Sequence, residues 1–201
     1  DKAANPISIL GYTKRSAEKI CEFFNKKFQS KKKIKVVRFG NVFGSSGSAI
    51  NNFLDKINSE NPVEITSKKA SRYFMTVLEA CHLVLQTTTM NLNGSTFILN
   101  MGKPVNILQL AKNLGKIKTK INNDYNFEYR EIGLQPGEKL NENLKDKKEI
   151  LKRISNEIFM VNDKNKNLDK FQIYFEKLKE NFYKGDKNKL VRNLKDIAKY
   201  C

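Results

Sequence analysis

The sequence predicts an α/β fold in which a parallel sheet has helices on both faces, and two kinds of segment support this prediction. Short apolar runs rich in β-branched residues, such as IKVVRF at 34–39 and STFILNM at 95–101, are typical of strands buried on both faces. Longer segments between them repeat apolar residues at helical spacing. Strands that alternate with helices indicate strand–helix–strand units and therefore a parallel sheet.

The first elements follow from local signals. Pro6 suits the first turn of a helix, and apolar residues at helical spacing carry that helix to about Phe28. The strand at 34–39 runs into GNVFGSSGS, a glycine- and serine-rich loop over 40–48. A helix over 49–59 and a short strand, PVEIT, are predicted after it.

The second half begins with SRYFM (71–75), which is predicted to be extended. Thr76 and Glu79 have the spacing of a capping box for a helix that reaches about Thr88. After the strand STFILNM, the segment ILQLAKNLG is amphipathic, and we expect its helix to end at Gly115.

The last third becomes increasingly polar. The segment NFEYREI predicts a strand, and GLQPGEKL predicts a turn-rich loop. Beyond residue 141 helices are expected near 167–182 and 187–199, separated by the tripeptide KGD.

Composition restricts the classes of function. The net charge of +17 suggests a polyanion-binding module, but only six of the 38 basic residues are Arg and the charge is spread along the chain. We therefore interpret the lysines as solvated surface and expect no nucleic-acid partner, keeping the polyanion module as an alternative. Three widely spaced cysteines and a single histidine predict no metal site. No apolar run reaches the roughly 18 to 20 residues that span a bilayer.

Ligands of such sheets bind outside the carboxyl ends of the strands. This rule places Asn41 and the 40–48 loop beside the helix that bears Lys14. No GxGxxG motif occurs in the sequence, so the pyrophosphate of any bound dinucleotide must rest mainly on residues outside it.

Four separate motifs follow one another along the chain in the order of a known family: DKAANPISILGYTKR, VVRFGNVFGSSGSAI, SRYFM and LQPGEKLNENL. With them the sequence resembles the CapD-like polysaccharide-biosynthesis family of extended short-chain dehydrogenase/reductases, which includes UDP-N-acetylglucosamine 4,6-dehydratases. The resemblance implies the C-terminal part of a Rossmann-type doubly wound sheet, with a small mixed α/β substrate-binding subdomain and a helical C-terminus.

The resemblance also implies an organisation. Residues 1–144 would belong to the NAD(P)-binding domain, with substrate-binding segments at about 40–75 and 126–144, and residues 145–201 would form a polar, mainly helical extension. The expected partners are a UDP-sugar, a missing N-terminal Rossmann half and further copies of the chain. The expected location is the cytoplasm, with membrane attachment through upstream helices in the full-length protein.

A 4,6-dehydratase of this family lends the C4 hydride of the sugar to NAD(P)+, eliminates water across C5 and C6, and returns the hydride to C6. The resemblance implies that Asp1 is the acid and Lys2 the base of this elimination. It places Lys14 on the nicotinamide ribose and assigns Phe39 to the cofactor site. A protonated aspartate and a neutral lysine both need shifted pKa values, which a dry, charge-coupled site can supply.

One position departs from most short-chain dehydrogenases. Leu10 stands where they carry a catalytic tyrosine, although a subgroup of this family has Met there. Tyr12 cannot replace that tyrosine, because it lies about 200° around the helix from Lys14 whereas Leu10 shares the Lys14 face. The group that removes the C4 hydroxyl proton is therefore unassigned.

Substrate contacts are implied first in the 40–48 loop. Asn41 matches a residue near the diphosphate of the sugar nucleotide, and an amide cap on the strand-to-loop turn is its alternative role. Ser48, with Ser45 and Ser46, could donate hydrogen bonds to phosphate or uridine, or could belong to a plain flexible loop.

Further substrate contacts are implied at four positions. Thr66 matches the place where the base or ribose is held, and Arg72 is expected on the diphosphate, with a structural salt bridge as its alternative. Glu138 is expected on the ribose hydroxyls, or else to stabilise the turn. Gln135 replaces a family arginine, which removes a charge-assisted bond worth about 1.5 to 3 kcal/mol.

The predicted function is thus a UDP-N-acetylglucosamine 4,6-dehydratase. A C4 or C5 epimerase of UDP-hexosamines is the alternative within the family.

Overall fold

The computed structural model describes residues 1–28, 34–45, 47–90, 92, 96–162 and 168–200. The chain forms two compact units. Unit 1 comprises Asp1–Arg38, Val84–Asn100 and Asn143–Cys201, and unit 2 comprises Phe39–Leu83 and Met101–Glu142.

The helices are α1 (Ile9–Phe28), α2 (Ala49–Asn58), α3 (Val77–Thr89), α4 (Ile107–Ile121), α5 (Leu168–Tyr183) and α6 (Lys187–Tyr200). The strands are β1 (Val36–Arg38), β2 (Asn41–Val42), β3 (Val63–Ile65), β4 (Ser71–Arg72), β5 (Phe74–Met75), β6 (Thr96–Leu99), β7 (Val105–Asn106), β8 (Tyr129–Glu131), β9 (Ile150–Arg153) and β10 (Ile158–Asn162).

Unit 1 is built on a four-stranded sheet in the order β1-β6-β10-β9. Strands β1 and β6 are parallel, with Val37 opposite Phe97, whereas β10 runs antiparallel to both β6 and β9. All four residues of β6 are buried, as its continuous apolar run predicts. Helices α1, α5 and α6 form a second apolar cluster, in which the rings of Phe23 and Phe171 lie 4.9 Å apart.

Unit 2 contains three two-stranded sheets: β2 with β5 and β3 with β8 are parallel, and β4 with β7 is antiparallel. Its apolar core comes from α2, α4 and the strands between them. Phe53 and Ile57 lie one turn apart on the inner face of α2, and Val63 and Ile65 alternate inward from β3.

Most predicted elements are confirmed, including the capping box. The Thr76 N–H donates to Oε2 of Glu79 at 2.7 Å, and the Glu79 N–H donates to Oγ1 of Thr76 at 3.1 Å. The parallel β1–β6 pair and the helices around it agree with the predicted Rossmann-type class.

One predicted helix end was wrong. Helix α4 continues past Gly115 to Ile121. Gly115 does not end the helix but leaves room for the ring of Phe127, which a Cβ at this position would overlap. Strands β9 and β10, which were not predicted, precede the two helices of the C-terminal segment.

Candidate functional site

An open groove of about 750 Å³ lies within unit 2, along α2. Five of the six residues predicted to bind substrate line it: Asn41, Ser48, Thr66, Arg72 and Glu138. They come from separate parts of the sequence, so the fold brings the predicted positions to a single cavity.

The N-terminus of α2 faces this groove, which Ser48, Ala49 and Asn52 line. Ser48 is the N-cap, with an extended backbone (φ −65°, ψ 146°), and its Oγ accepts the Asn51 N–H at 3.3 Å. Free N–H groups and the helix dipole favour an anion at such a terminus. The glycine- and serine-rich loop therefore ends at a helix N-terminus whose N–H groups and dipole favour a phosphate group. Ser46, also considered in the sequence, lies outside the described residues.

Glu138 connects the other predicted positions. Its Oε1 accepts hydrogen bonds from Thr66 Oγ1 at 2.9 Å and from Arg72 Nη2 at 2.6 Å. Its Oε2 accepts the Gln135 N–H at 3.1 Å, while the Glu138 N–H donates to the Gln135 carbonyl at 2.9 Å. Gln135 thus takes part through its backbone and closes the turn that presents Glu138.

Arg72 is held firmly in this arrangement. Its Nε lies 3.2 Å from Glu142 Oε1, and its Nη1 donates to the carbonyls of Ser71 and Leu140 at 2.8 and 2.9 Å. The guanidinium therefore takes part in the structural salt bridges that were its alternative role, and it also lines the groove. The cluster of Arg72, Glu138 and Glu142 has one guanidinium and two carboxylates, and therefore a net charge of −1.

Asn41 reaches the groove from β2, whose backbone lies against β5: the Asn41 N–H donates to the Tyr73 carbonyl at 2.8 Å. Gly40 allows this approach, because a Cβ there would lie 2.8 Å from both the carbonyl oxygen and the Cβ of Tyr73. Phe39, assigned to the cofactor, is half-buried at the start of unit 2.

The predicted catalytic pair lies in unit 1. Lys2 Nζ is 2.5 Å from Asp1 Oδ2, and the Lys2 N–H donates to Asp1 Oδ1 at 2.7 Å. The two side chains therefore form a close ion pair. The Asp1 side chain is 15% exposed and the Lys2 side chain 49%, so the pair is open to a reactant.

The exposed face of α1 carries Leu10, which is 53% exposed, and Lys14. Lys14 forms no ion pair with the described residues, so its charge is free to meet a ligand. Tyr12 turns toward α6, where Lys195 Nζ lies 5.8 Å from its ring centroid. The prediction that Tyr12 points away from the Leu10 and Lys14 face is confirmed.

A buried ion network in unit 1 was not predicted. It consists of Arg15 and Glu18 on α1, Arg38 on β1, and Asp146 and Glu149 before β9. Arg38 makes two bonds of 2.7 Å to Glu18, and its Nη1 donates to Glu149 at 2.7 Å. Sequence spacing can pair only Arg15 with Glu18, three residues apart on α1, because up to 134 positions separate the other partners.

The network sets the charge states of its members. Burial alone would raise the pKa of Glu149, but the hydrogen bonds and positive charge of Arg38 lower it to about 2. Burial alone would lower the pKa of Arg38, yet hydrogen bonds to Glu18 and Glu149 raise it above its usual value.

Among the described residues, no group of His, Cys, Asp and Glu side chains could hold a metal ion. None of the helices in the described part of the chain is long and apolar enough to span a membrane.

The sheet of unit 1 and the groove of unit 2 define a Rossmann-type protein of the short-chain dehydrogenase/reductase class. The solved structure of Pen from Bacillus thuringiensis is similar, with a TM-score of 0.71 and 29% identity over 82% of this chain and 51% of that one. The family model described as polysaccharide biosynthesis protein matches residues 1–164. The chain belongs to this polysaccharide biosynthesis family.

Three relatives show the range of the family. The capsular polysaccharide biosynthesis protein CapD of Staphylococcus aureus is 47% identical over 150 residues, 75% of this chain and 24% of that protein. A UDP-N-acetylglucosamine 4,6-dehydratase (inverting) of Campylobacter jejuni is 31% identical, covering 71% of this chain and 40% of that protein. A UDP-glucose 4-epimerase of Rickettsia felis is 31% identical, over 76% of this chain and 43% of that protein. The chain thus spans from a quarter to under half of the length of these relatives.

Proposed function

We propose that the chain is part of an NAD(P)-dependent nucleotide-sugar 4,6-dehydratase that acts on UDP-N-acetylglucosamine. The observation that carries the proposal is the groove of unit 2, where predicted substrate residues meet around Glu138. Similarity to the Campylobacter dehydratase supports the reaction type. The proposal includes a dinucleotide-binding half, a homo-oligomer, and a location on the cytoplasmic side of the membrane.

Different residues of the groove would contact different parts of UDP. The N-terminus of α2 offers N–H groups to phosphate oxygens. Arg72 would add one guanidinium charge at the groove, in an orientation set by Glu138 and Glu142. Glu138, as an acceptor, suits ribose hydroxyls, with Thr66 beside it.

The proton transfers are assigned to unit 1. In elimination, Lys2 would accept the C5 proton and Asp1 would give a proton to the departing C6 hydroxyl. Because the two side chains are in contact, the proton taken from C5 by Lys2 would then pass to Asp1, and the pair would return to its starting state within a turnover.

The residues of α1 fit a nicotinamide cofactor. Lys14 is exposed and forms no ion pair among the described residues, so its ammonium group would be available to a ribose hydroxyl. When bound, the cofactor would supply the hydride acceptor and donor for C4 oxidation and its reversal. The charge of Lys14 would favour loss of a nearby hydroxyl proton, a task that Leu10 cannot perform.

The test is product analysis of a chimera in which this chain replaces the segment of CapD that it matches. Incubated with NAD+ or NADP+ and UDP-N-acetylglucosamine, it should form a UDP-linked 4-keto-6-deoxy sugar. Lys2→Ala should abolish this product while leaving substrate binding intact. A chimera that binds substrate and forms the product equally well without Lys2 would remove the proposed base.

A second candidate is an epimerase, because the Rickettsia UDP-glucose 4-epimerase is as similar as the dehydratase. The same assay separates the two functions. An epimerase would return a hexosamine of unchanged mass with one inverted centre, whereas a dehydratase product has lost one water.

A further inference from the structure

The loop that carries the predicted catalytic pair, residues 1–6, is held in place at several points. Ala3 and Ala4, directly after Lys2, are buried at 5% and 0% exposure. Asn5, next in the chain, has a positive φ of 43°, a conformation in which asparagine is favoured over most other residues. The buried side chains of Ala3 and Ala4 and the left-handed backbone turn at Asn5 therefore hold the loop in unit 1.

The buried ion network reaches this loop through Asp146. Asp146 Oδ2 pairs with Arg15 Nη2 at 2.8 Å, and its Oδ1 accepts the N–H of Asn5. Asn5 Nδ2 also donates to the carbonyl of Lys145 at 3.3 Å. Both carboxylate oxygens of Asp146 are thus engaged, one with α1 and the other with the loop.

Gly11 holds the same loop from the side of α1. A Cβ at Gly11 would lie 2.9 Å from the carbonyl oxygen of Lys2 and 3.0 Å from the Cβ of Pro6. The first of these atoms is backbone, so it can give way only if the loop itself moves. Glycine at this position therefore permits the observed distance between Lys2 and the helix.

We propose that Gly11 and Asp146 are positioning residues that set where the Asp1–Lys2 pair stands. The inference rests on the proposed role of that pair. Neither residue takes part in proton transfer. Gly11 fixes the approach of the loop to α1, and Asp146 links the loop to the ion network.

Gly11→Ala gives a sharp test, because alanine favours helix and should not unfold α1. In the CapD chimera, displacement of the loop should lower kcat on the order of 10- to 100-fold while KM for the UDP-sugar stays within about twofold. A merely structural glycine would leave kcat per folded molecule unchanged.

Asp146→Ala and Asp146→Asn separate the two bonds of that carboxylate. Asparagine keeps an acceptor for the Asn5 N–H but lowers the charge facing Arg15, so it should recover part of the kcat that alanine loses. Asp124→Ala, at an exposed position of unit 2, is the matched control and should leave kcat unchanged.

A readout independent of catalysis uses the 201-residue chain itself. Amide hydrogen exchange at Asn5 should rise at least about tenfold in Asp146→Ala, while exchange at Phe97 in the buried β6 stays unchanged. Unchanged exchange at Asn5, or an unchanged kcat in Gly11→Ala, would overturn the inference. If the unmodified chimera has no turnover, the proposed function fails, and the exchange result still decides whether Asp146 holds the loop.

Discussion

Replacing Glu149 with glutamine should destabilise unit 1 strongly, because Glu149 lies at the centre of the buried ion network. Its carboxylate accepts bonds from Arg38 Nη1 at 2.7 Å, from Arg15 Nη1 at 2.9 Å and from the Asp146 N–H at 2.8 Å. Glu149→Gln keeps the shape but removes one of three carboxylates that face two buried guanidinium groups. Its amide hydrogens would also meet donors rather than acceptors.

The expected magnitude follows from the burial of these groups. The side chains of Arg38 and Glu149 are 2% and 5% exposed, so water cannot replace the lost charge. Removing one partner of a buried pair typically lowers the free energy of unfolding by about 3 to 5 kcal/mol. For a urea slope of about 2 kcal/mol/M, the midpoint should fall by about 1.5 to 2.5 M.

Urea unfolding at pH 7, followed by circular dichroism, measures this shift. Glu180→Gln is the matched control, because it breaks an exposed i,i+4 pair between Glu180 on α5 and Lys184 just beyond the helix, and should leave the midpoint unchanged. If Glu149→Gln lowered the free energy of unfolding by less than about 1 kcal/mol, the ion network would not be a main source of the stability of unit 1.

The remaining predictions concern pH, packing and the C4 base. Since the folded pKa of Glu149 is about 2, below the ordinary 4.5, its ion pairs stabilise the protein above about pH 5. That stabilisation, up to about 3 kcal/mol, should be lost as the pH falls toward 2, and the acid-induced drop in melting temperature should shrink in Glu149→Gln. Gly115→Ala should lower the free energy of unfolding by about 1 to 3 kcal/mol in thermal melts, because the new Cβ overlaps Phe127, whereas the exposed Lys116→Ala should not. Leu10→Tyr in the chimera should raise the rate of C4 oxidation in single-turnover reduction of the cofactor, and an unchanged rate would show that another group already removes that proton.

Much of the fold was predictable because its signals are local. The capping box of Thr76 and Glu79 and the buried run of β6 each lie within a few consecutive residues. Gly115 was misread because a glycine can end a helix or make room for a neighbour. Only the position of Phe127 decides between these roles. The apolar run in β10 was a usable signal for a missed strand, but polar flanking residues obscured it.

The candidate site was predictable as a set of residues but not as a set of contacts. Resemblance selected Thr66, Arg72 and Glu138, yet only the fold shows that one carboxylate bonds the other two. Asp146 and Glu149 had no sequence signal, because acidic residues in a polar segment normally belong to a solvated surface. Their partners lie more than a hundred residues away in the chain.

Calorimetric titration of the 201-residue chain with UDP measures directly whether the groove of unit 2 binds the UDP part of a nucleotide sugar, as we propose. We expect saturable binding at one site. Arg72→Ala should weaken it roughly tenfold or more through loss of charge-assisted bonds, while the exposed Arg192→Ala in unit 1 should not. Absence of saturable binding, or equal affinity in Arg72→Ala, would contradict the claim.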